Sequence, residues 1–421
     1  MPDIGIVGAG VAGLHLGLLL RRHDLPVTLY SDRSPRQLAA GRLTATIAHH
    51  APTLRREESL GVDFWPADEF GYTCHHHYVG GPQPLRFRGD FTRPSSAVDY
   101  RLYLPALADA YQERGGELRV GRLAADDLTV LADRHDLLVV AAGRGAFTSL
   151  FPRREADSPY REPQRRLCAG LYHGVAPAEP KGVTLSISPG HGELVEIPIL
   201  SHAGHVTALL FESVPGGDLD VLSDLSHDAD PALFLRTVLD RLATHHPDVF
   251  ARIDPAGFRL TGPLDLLQGS VVPTVRADHA RLPNGRYALA VGDAHTVVDP
   301  IVGQGANSAS HSAWVVGEAI RDGLALDELF CREVAQRRAD VVLGAARWSN
   351  LMVQPPPEHL LQLLAAMAGN QAAADEFTDN FGHPDRQWRI LATPERTHAF
   401  LARHDAGPAP RDPDAAAREP R

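Results

Sequence analysis

Two glycine-rich stretches, nearly three hundred residues apart, carry the clearest chemical signals in the sequence. The first, IGIVGAGVAG, sets Gly8, Ala9, Gly10, Val11, Ala12 and Gly13 between a short apolar run and the apolar segment LHLGLLLRR. Gly8 permits a tight turn, Gly10 lets backbone approach a pyrophosphate, and Gly13 lets a helix pack closely on a sheet. The helix N-terminus then meets the negative charge. In a strand–turn–helix context this is a dinucleotide signature. The second stretch is GDAHTVVDPIVGQGAN, residues 292–307. Gly292 and Asp293 close the buried run YALAVGD; Gly303 and Gly305 bracket Gln304, and Ala306 and Asn307 open a helical pattern. Asp293 at a strand end can meet a ribose hydroxyl, and the following turn can offer backbone N–H groups to the rest of a long dinucleotide. One cofactor gripped at two distant places requires an insertion between them.

Other reactive residue types form no site of their own. CHHHY at 74–78 puts a thiol and three imidazoles in one run, but strand residues alternate faces, so at most two can converge. No distant CxxC or HxxxH completes a metal set, and neither a GxSxG elbow nor an HExxH motif occurs. Lys181 is the sole lysine, which rules out Schiff-base chemistry unless Lys181 is itself the nucleophile. Cys74, Cys168 and Cys331 are odd in number and widely spaced, as reduced thiols are.

The elements that would position the glycine turns are legible. IGIV, VTLY (27–30) and DLLVV (136–140) read as buried strands, with Gly143 ending a run of small residues after the third. Residues 182–214 alternate apolar and polar, as half-exposed antiparallel strands do. After Asn307 the pattern is helical to about residue 395, broken at Pro355–Pro357, and the tail GPAPRDPDAAAREPR has no apolar face. A length of 421 residues favours two domains. A net charge of −11 argues against nucleic-acid binding. No apolar run approaches the ~20 residues that span a bilayer, and no secretory leader precedes Ile4, so a cytoplasmic location is expected.

The order GAGVAG, DLLVVAAG, GDAHTVVDPIVGQGAN resembles flavoprotein monooxygenases of the p-hydroxybenzoate hydroxylase fold. EFGY, YVGGPQPLRF, AVDYRLYLPAL, SPGHGELVEIP, HHPDVFARIDPAGF and DEFTDNF narrow the resemblance to the styrene monooxygenase family, oxygenase component, and its indole-oxidising relatives. The likeness implies FAD used as FADH2, reduced by a separate NADH:flavin oxidoreductase, and dioxygen activated as a flavin C4a-hydroperoxide. The product would be the epoxide of a styrene-like vinyl aromatic. Indole or aryl sulfide oxidation, and a single-component NAD(P)H-dependent aromatic hydroxylase, are the alternatives. It leaves a homodimer open.

The likeness also implies roles. Arg42, in AGRLTATIAHH, resembles an arginine beside the flavin; Pro300, Gly303, Gln304 and Asn307 would lie along the ring. Ala45, Ile47, His49, Tyr72, His75 and Ser95 match positions that separate styrene from indole oxidation. His49, Tyr72, His75 and Ser95 agree with the styrene pattern, Ile47 is a conservative change, and Ala45 stands where asparagine is expected. At the end of VTLY, Tyr30 occupies the place of a ribose-binding acid, leaving Ser31, Asp32 and Arg33 to substitute.

The expected fold is therefore α/β, a Rossmann-type FAD domain with an inserted antiparallel β-sheet substrate domain and C-terminal helices. Residues 1–72, 97–180 and 276–320 would form the FAD domain and 73–96 and 181–275 the substrate domain. Residues 321–395 would be helical and 396–421 a disordered tail.

Overall fold

The computed structural model describes residues 1–124, 126–143, 145 and 147–405. Ile4–Val7 sits near the middle of a six-stranded sheet, paired in parallel with Val27–Ser31 on one side and Leu137–Val140 on the other. Tyr287–Ala290 adds in parallel to Leu137–Val140, so the strand leading into the second glycine turn lies two places from the first. The runs are apolar throughout because both faces are covered. Ile4, Ile6 and Leu29 pack under the helices Val11–Arg22, Tyr100–Glu113 and Gly305–Arg321. Val7, Leu138 and Val140 pack with Leu128, Leu131 and Phe151 on the other face.

The second sheet contains Tyr72–Val79, Leu85–Ser95, Arg166–His173, Gly182–Ser188, Gly192–Ser201, Gly204–Ser213, Arg259–Leu260 and Leu266–Ser270. Tyr72–Val79 pairs in parallel with Gly182–Ser188, which joins the two parts of the substrate domain. Two expectations need correction here. Arg166–His173 pairs with Gly204–Ser213, so the boundary placed at residue 180 falls after a strand that already belongs to the second sheet. The strands of 182–214 are also not half exposed. Val195, Ile197 and Ile199 face one core, while Leu194, Leu209 and Phe211 are roofed by Phe234, Val238 and Leu242 of the helix Pro231–His245.

After Asn307 the chain is helical: Gly305–Arg321, Glu328–Met352, then four shorter helices from Glu358 onward. The last, Pro394–Asp405, buries Thr397 and Phe400, so residues 396–405 are ordered helix rather than tail; 406–421 lie outside the described residues. Phe400 gave the packing face that the polar composition of this segment conceals. Among the described residues no helix is long and apolar enough to cross a membrane.

A buried ion network fixes the strand that ends at Gly292. Arg338, 1% exposed, donates from one guanidinium nitrogen to the Ala290 carbonyl at 2.6 Å and from another to Asp278 at 2.7 Å. His295 lies 3.1 Å from the same carboxylate. Burial lowers the His295 pKa to about 4, while His295 and Arg338 hold Asp278 well below the usual carboxylate range.

Candidate active site

The three glycines of the first turn do different things. Gly8 has φ +117°, and a Cβ there would lie 2.5 Å from the Ala142 nitrogen. A Cβ on Gly13 would lie 1.9 Å from the Gly8 carbonyl oxygen. Both are required by the protein itself. A Cβ on Gly10 meets nothing within 4 Å, so this glycine faces open space. The helix behind it has Gly10 as N-cap, no side-chain cap and no acid in its first turn, leaving backbone N–H groups for an anion. Ala9 is half-buried; Val11 and Ala12 are buried against the sheet.

The second turn repeats the arrangement. Pro300–Val302 forms one 3₁₀ turn, Gly303 follows at φ +63° with nothing near its would-be Cβ, and Gly305–Arg321 begins without a side-chain cap or an early acid. The two helices touch: a Cβ on Gly317 would lie 2.4 Å from Leu19, and one on Gly292 would meet Ala12 at 3.4 Å and Ala309 at 3.7 Å. Two uncapped N-termini on adjacent helices thus answer the sequence puzzle of two distant turns. Gly143 is exposed with open space beside it. Beyond Val27–Ser31, Ser31 Oγ is spent locally, donating to the Arg33 carbonyl at 2.7 Å, whereas the Asp32 carboxylate stays exposed with only a 3.7 Å pair to Arg33. These residues fit FAD: backbone without Cβ and free N–H groups where phosphates need them, and a carboxylate at each strand end.

Gln304 and Asn307 are occupied by the protein. Asn307 Oδ1 accepts from the His50 N–H at 3.1 Å and Thr53 Oγ1 at 2.7 Å; its Nδ2 donates to the carbonyls of Ala48 at 2.9 Å and Gly303 at 3.1 Å. Gln304 Nε2 donates to the carbonyls of Val302 and Phe381 at 3.0 and 2.9 Å. Their side chains fasten the turn to its surroundings, and its backbone is what remains for a ligand. Half-buried Ala306 packs beneath it. Arg42 is held loosely, 3.4 and 3.5 Å from the carbonyls of Pro263 and Leu266 and 3.9 Å from Asp228.

The substrate-side residues separate into two groups. Tyr72, His75 and Ser95 gather with Phe91 and Phe381: His75 lies 4.7 Å from the Phe91 ring and 4.4 Å from that of Phe381, and 6.1 Å from that of Tyr72. His49 faces the other way. Its Nδ1 lies 2.8 Å from Glu57 Oε1, and its ring packs edge-on at 5.0 Å against Tyr103. The place beside Ser95 belongs to His50, whose Nδ1 is 2.9 Å from Ser95 Oγ. Ile47 is buried and Ala45 half-buried on the same extended segment as His49. In CHHHY the strand alternation holds. His75 and His77 share one face at 6.2 Å; Cys74 and His76 share the other, 3.3 Å apart. Among the described residues no group of three or more His, Cys, Asp or Glu could hold a metal ion.

The ring cluster is electrically neutral. Burial lowers the His50 and His77 pKa values to about 3 and places that of His75 well below its usual range; it also raises that of Tyr72. Among the described residues, His50 Nε2 and His75 Nδ1 are buried without hydrogen-bond partners.

Two curated proteins named Styrene monooxygenase StyA, from Pseudomonas fluorescens and from Pseudomonas sp., are each 49% identical to the chain over 398 residues, covering 93% of it and 96% of the relative. The chain belongs to the styrene monooxygenase family. The family "Styrene monooxygenase A putative substrate binding domain" matches residues 143–252. The fold is shared with PqsL, described as a probable FAD-dependent monooxygenase from Pseudomonas aeruginosa (TM-score 0.59, 16% identity, 95% of this chain and 99% of that one). It is also shared with the flavin-dependent brominase Bmp2 (TM-score 0.57, 17% identity, 95% and 92%). As a styrene monooxygenase family member the chain is a flavin-dependent monooxygenase that uses FAD and dioxygen.

Two features of this styrene monooxygenase family member have no signature in its sequence. One is the chain Ser310–His15–Tyr103–Glu57–His49, with links of 3.0, 2.7, 2.7 and 2.8 Å, drawn from five separate segments. His15 at helical spacing reads as core, and burial does lower its pKa to about 4. The other is the carboxyl pair formed by Glu212 and Asp299, both 0% exposed, directly before the second turn. Burial first, then the Asp299 charge, push the Glu212 carboxyl well above its ordinary value. The native state therefore keeps a proton that the unfolded chain releases, so stability falls as pH rises above the ordinary glutamate range. The expected outcome for Glu212→Gln is a melting temperature that declines less than wild type between mildly acidic and mildly alkaline buffer. Equal declines would mean that Glu212 is already ionised.

Proposed function

We propose that the chain epoxidises styrene-like vinyl aromatics, with reduced FAD delivered by a separate NADH:flavin oxidoreductase. The observation that carries this reading is the neutral ring cluster of Tyr72, His75, His50, Phe91 and Phe381, joined to the second glycine turn through the His50–Asn307 and Phe381–Gln304 hydrogen bonds. A substrate with an ionised group would find no counter-charge among these rings; an aromatic hydrocarbon matches them. The relatives named Styrene monooxygenase StyA support the same substrate.

In this reading the N–H groups at the starts of Val11–Arg22 and Gly305–Arg321 hold the FAD pyrophosphate and the backbone of Gly303–Asn307 lies on the flavin ring. Asp293 and Asp32 take ribose hydroxyls, and Arg42 supplies positive charge beside the ring. Reduced FAD supplies the electron pair that activates dioxygen. Phe91 and Phe381 keep water from the reacting atoms, while the uncharged His50 and His75 rings pack against the aromatic substrate with them. Residues 1–72, 97–165 and 276–320 serve as the FAD unit, and the second sheet as the substrate unit. Ala45, in place of the family asparagine, favours a wider substrate range including indole and aryl sulfides.

The test supplies chemically reduced FAD, oxygen and styrene to the purified chain without any nicotinamide. Styrene oxide above a protein-free control is the expected result. No epoxide, together with direct NAD(P)H oxidation stimulated by an aromatic substrate, would replace this reading with a single-component hydroxylase.

A further inference from the structure

Beside the ring cluster, and sharing His50 and Phe91 with it, lies a cleft of about 530 Å³ between the helix Ala51–Leu60 and the C-terminal helices. That volume suits a small ligand. Its charge is opposite to that of the molecule, which carries −11 overall. Arg55, Arg93 and Arg386 line it, all exposed, and none forms an ion pair or a side-chain hydrogen bond among the described residues. The acids in the wall are already engaged: Glu376 by Arg403 and His404, at 3.1 and 3.0 Å, and Asp379 Oδ1 by the Thr92 N–H at 2.8 Å. A neutral N–H does not cancel the Asp379 charge, so three guanidiniums without ion pairs face one carboxylate and leave the cleft net positive on an acidic protein.

Two further features point to an anion. His50 and His383, both lining the cleft, are the N-caps of Ala51–Leu60 and Pro384–Leu391, and neither helix has a side-chain cap. Asp385 in the first turn of the second helix is drawn off by Arg389 at 3.3 Å. His50 is 2% exposed, its Nδ1 is turned to Ser95, and its other ring nitrogen has no partner. Apolar side chains also line the cleft: Phe91, Pro52 and Ile390. A bare phosphate would leave that surface wet, whereas a ring bearing a carboxylate uses both the apolar side chains and the guanidinium forks.

We propose that this cleft binds a small aromatic carboxylate, with its ring on Phe91 and its carboxylate between Arg55, Arg93 and Arg386. The cleft shares His50 and Phe91 with the proposed substrate cluster, but the proposal rests on its three arginines and does not require the oxygenase reading. The experiment is isothermal titration of the purified full-length chain with benzoate, inorganic phosphate and benzyl alcohol. Saturable one-site binding of benzoate is expected, with benzyl alcohol and phosphate each weaker by at least about tenfold, as loss of a charge-assisted contact or of the apolar one requires. The exposed changes Arg55→Ala and Arg386→Ala together should weaken benzoate by a similar factor without altering the melting temperature. Arg93→Glu, on the strand Leu85–Ser95, is a second variant should the pair affect folding. Absence of saturable benzoate binding, phosphate binding as tightly as benzoate, or unchanged affinity in folded variants would each overturn the proposal.

Discussion

Gly13→Ala should cost the protein its fold, while Gly10→Ala should leave the fold intact and cost it FAD. A methyl group at residue 13 has nowhere to go, because the atom 1.9 Å away is the backbone carbonyl of Gly8 and not the end of a flexible side chain. Overpacking a core ordinarily costs ~1–3 kcal/mol, and a clash with fixed backbone between a helix and a central strand exceeds that range. Little soluble protein is the expected yield. At residue 10 the methyl meets nothing within 4 Å, so denaturant midpoints should match wild type. It would occupy the space proposed for the pyrophosphate, and titration with FAD should show affinity lower by at least about tenfold, or about 1.4 kcal/mol. If both variants fold and both bind FAD normally, the first turn is not the cofactor site.

Asn307→Leu should destabilise the protein more than any other single change in the second turn. The amide makes four hydrogen bonds, two buried and two part-buried, joining the segment around the start of Ala51–Leu60 to the start of Gly305–Arg321. Leucine keeps the volume and leaves the His50 N–H, the Thr53 hydroxyl and two carbonyls unpaired. At ~1–3 kcal/mol for each buried orphan, a loss of ~3 kcal/mol or more is expected in denaturant titration. Asn307→Asp keeps both acceptor contacts and should lose less. FAD affinity should fall alongside stability, since the turn proposed to face the ring is no longer held. A leucine variant of wild-type stability that fails only in turnover would instead make Asn307 a residue that touches the cofactor.

The first glycine turn was readable because local geometry dictates it: a tight turn, a close crossing and an open approach each need glycine at a fixed spacing. The second turn was readable for the same reason, and the inserted sheet from its alternation. What escaped was set by contacts between distant segments. His49 and His50 are neighbours of the same type, and nothing local says which faces the rings; the antiparallel bridge of His49 to Ser96 decides it, together with the Ser95 hydroxyl that takes His50. Glu57 looks like one more charge in RREESL until Tyr103 and His49 close on it. Strand Arg166–His173 was assigned to the wrong unit because its buried apolar character suits either sheet, and only its pairing partners distinguish them.

The strand order of the first sheet also governs when it can exist. Its parallel partners come from residues 4–7, 27–31, 117–120, 137–140 and 287–290, so six of the eight strands of the second sheet are synthesised between its fourth strand and its fifth. A ribosome that has released the first 140 residues has made the first glycine turn without the helix at 305–321 that packs on its helix, leaving Leu16 and Leu19 uncovered. Such non-local pairings fold slowly and expose apolar surface while they wait. The proposed two-handed hold on the cofactor would therefore carry a cost in biogenesis: the nascent chain must stay soluble through most of the second sheet before the two glycine turns can meet.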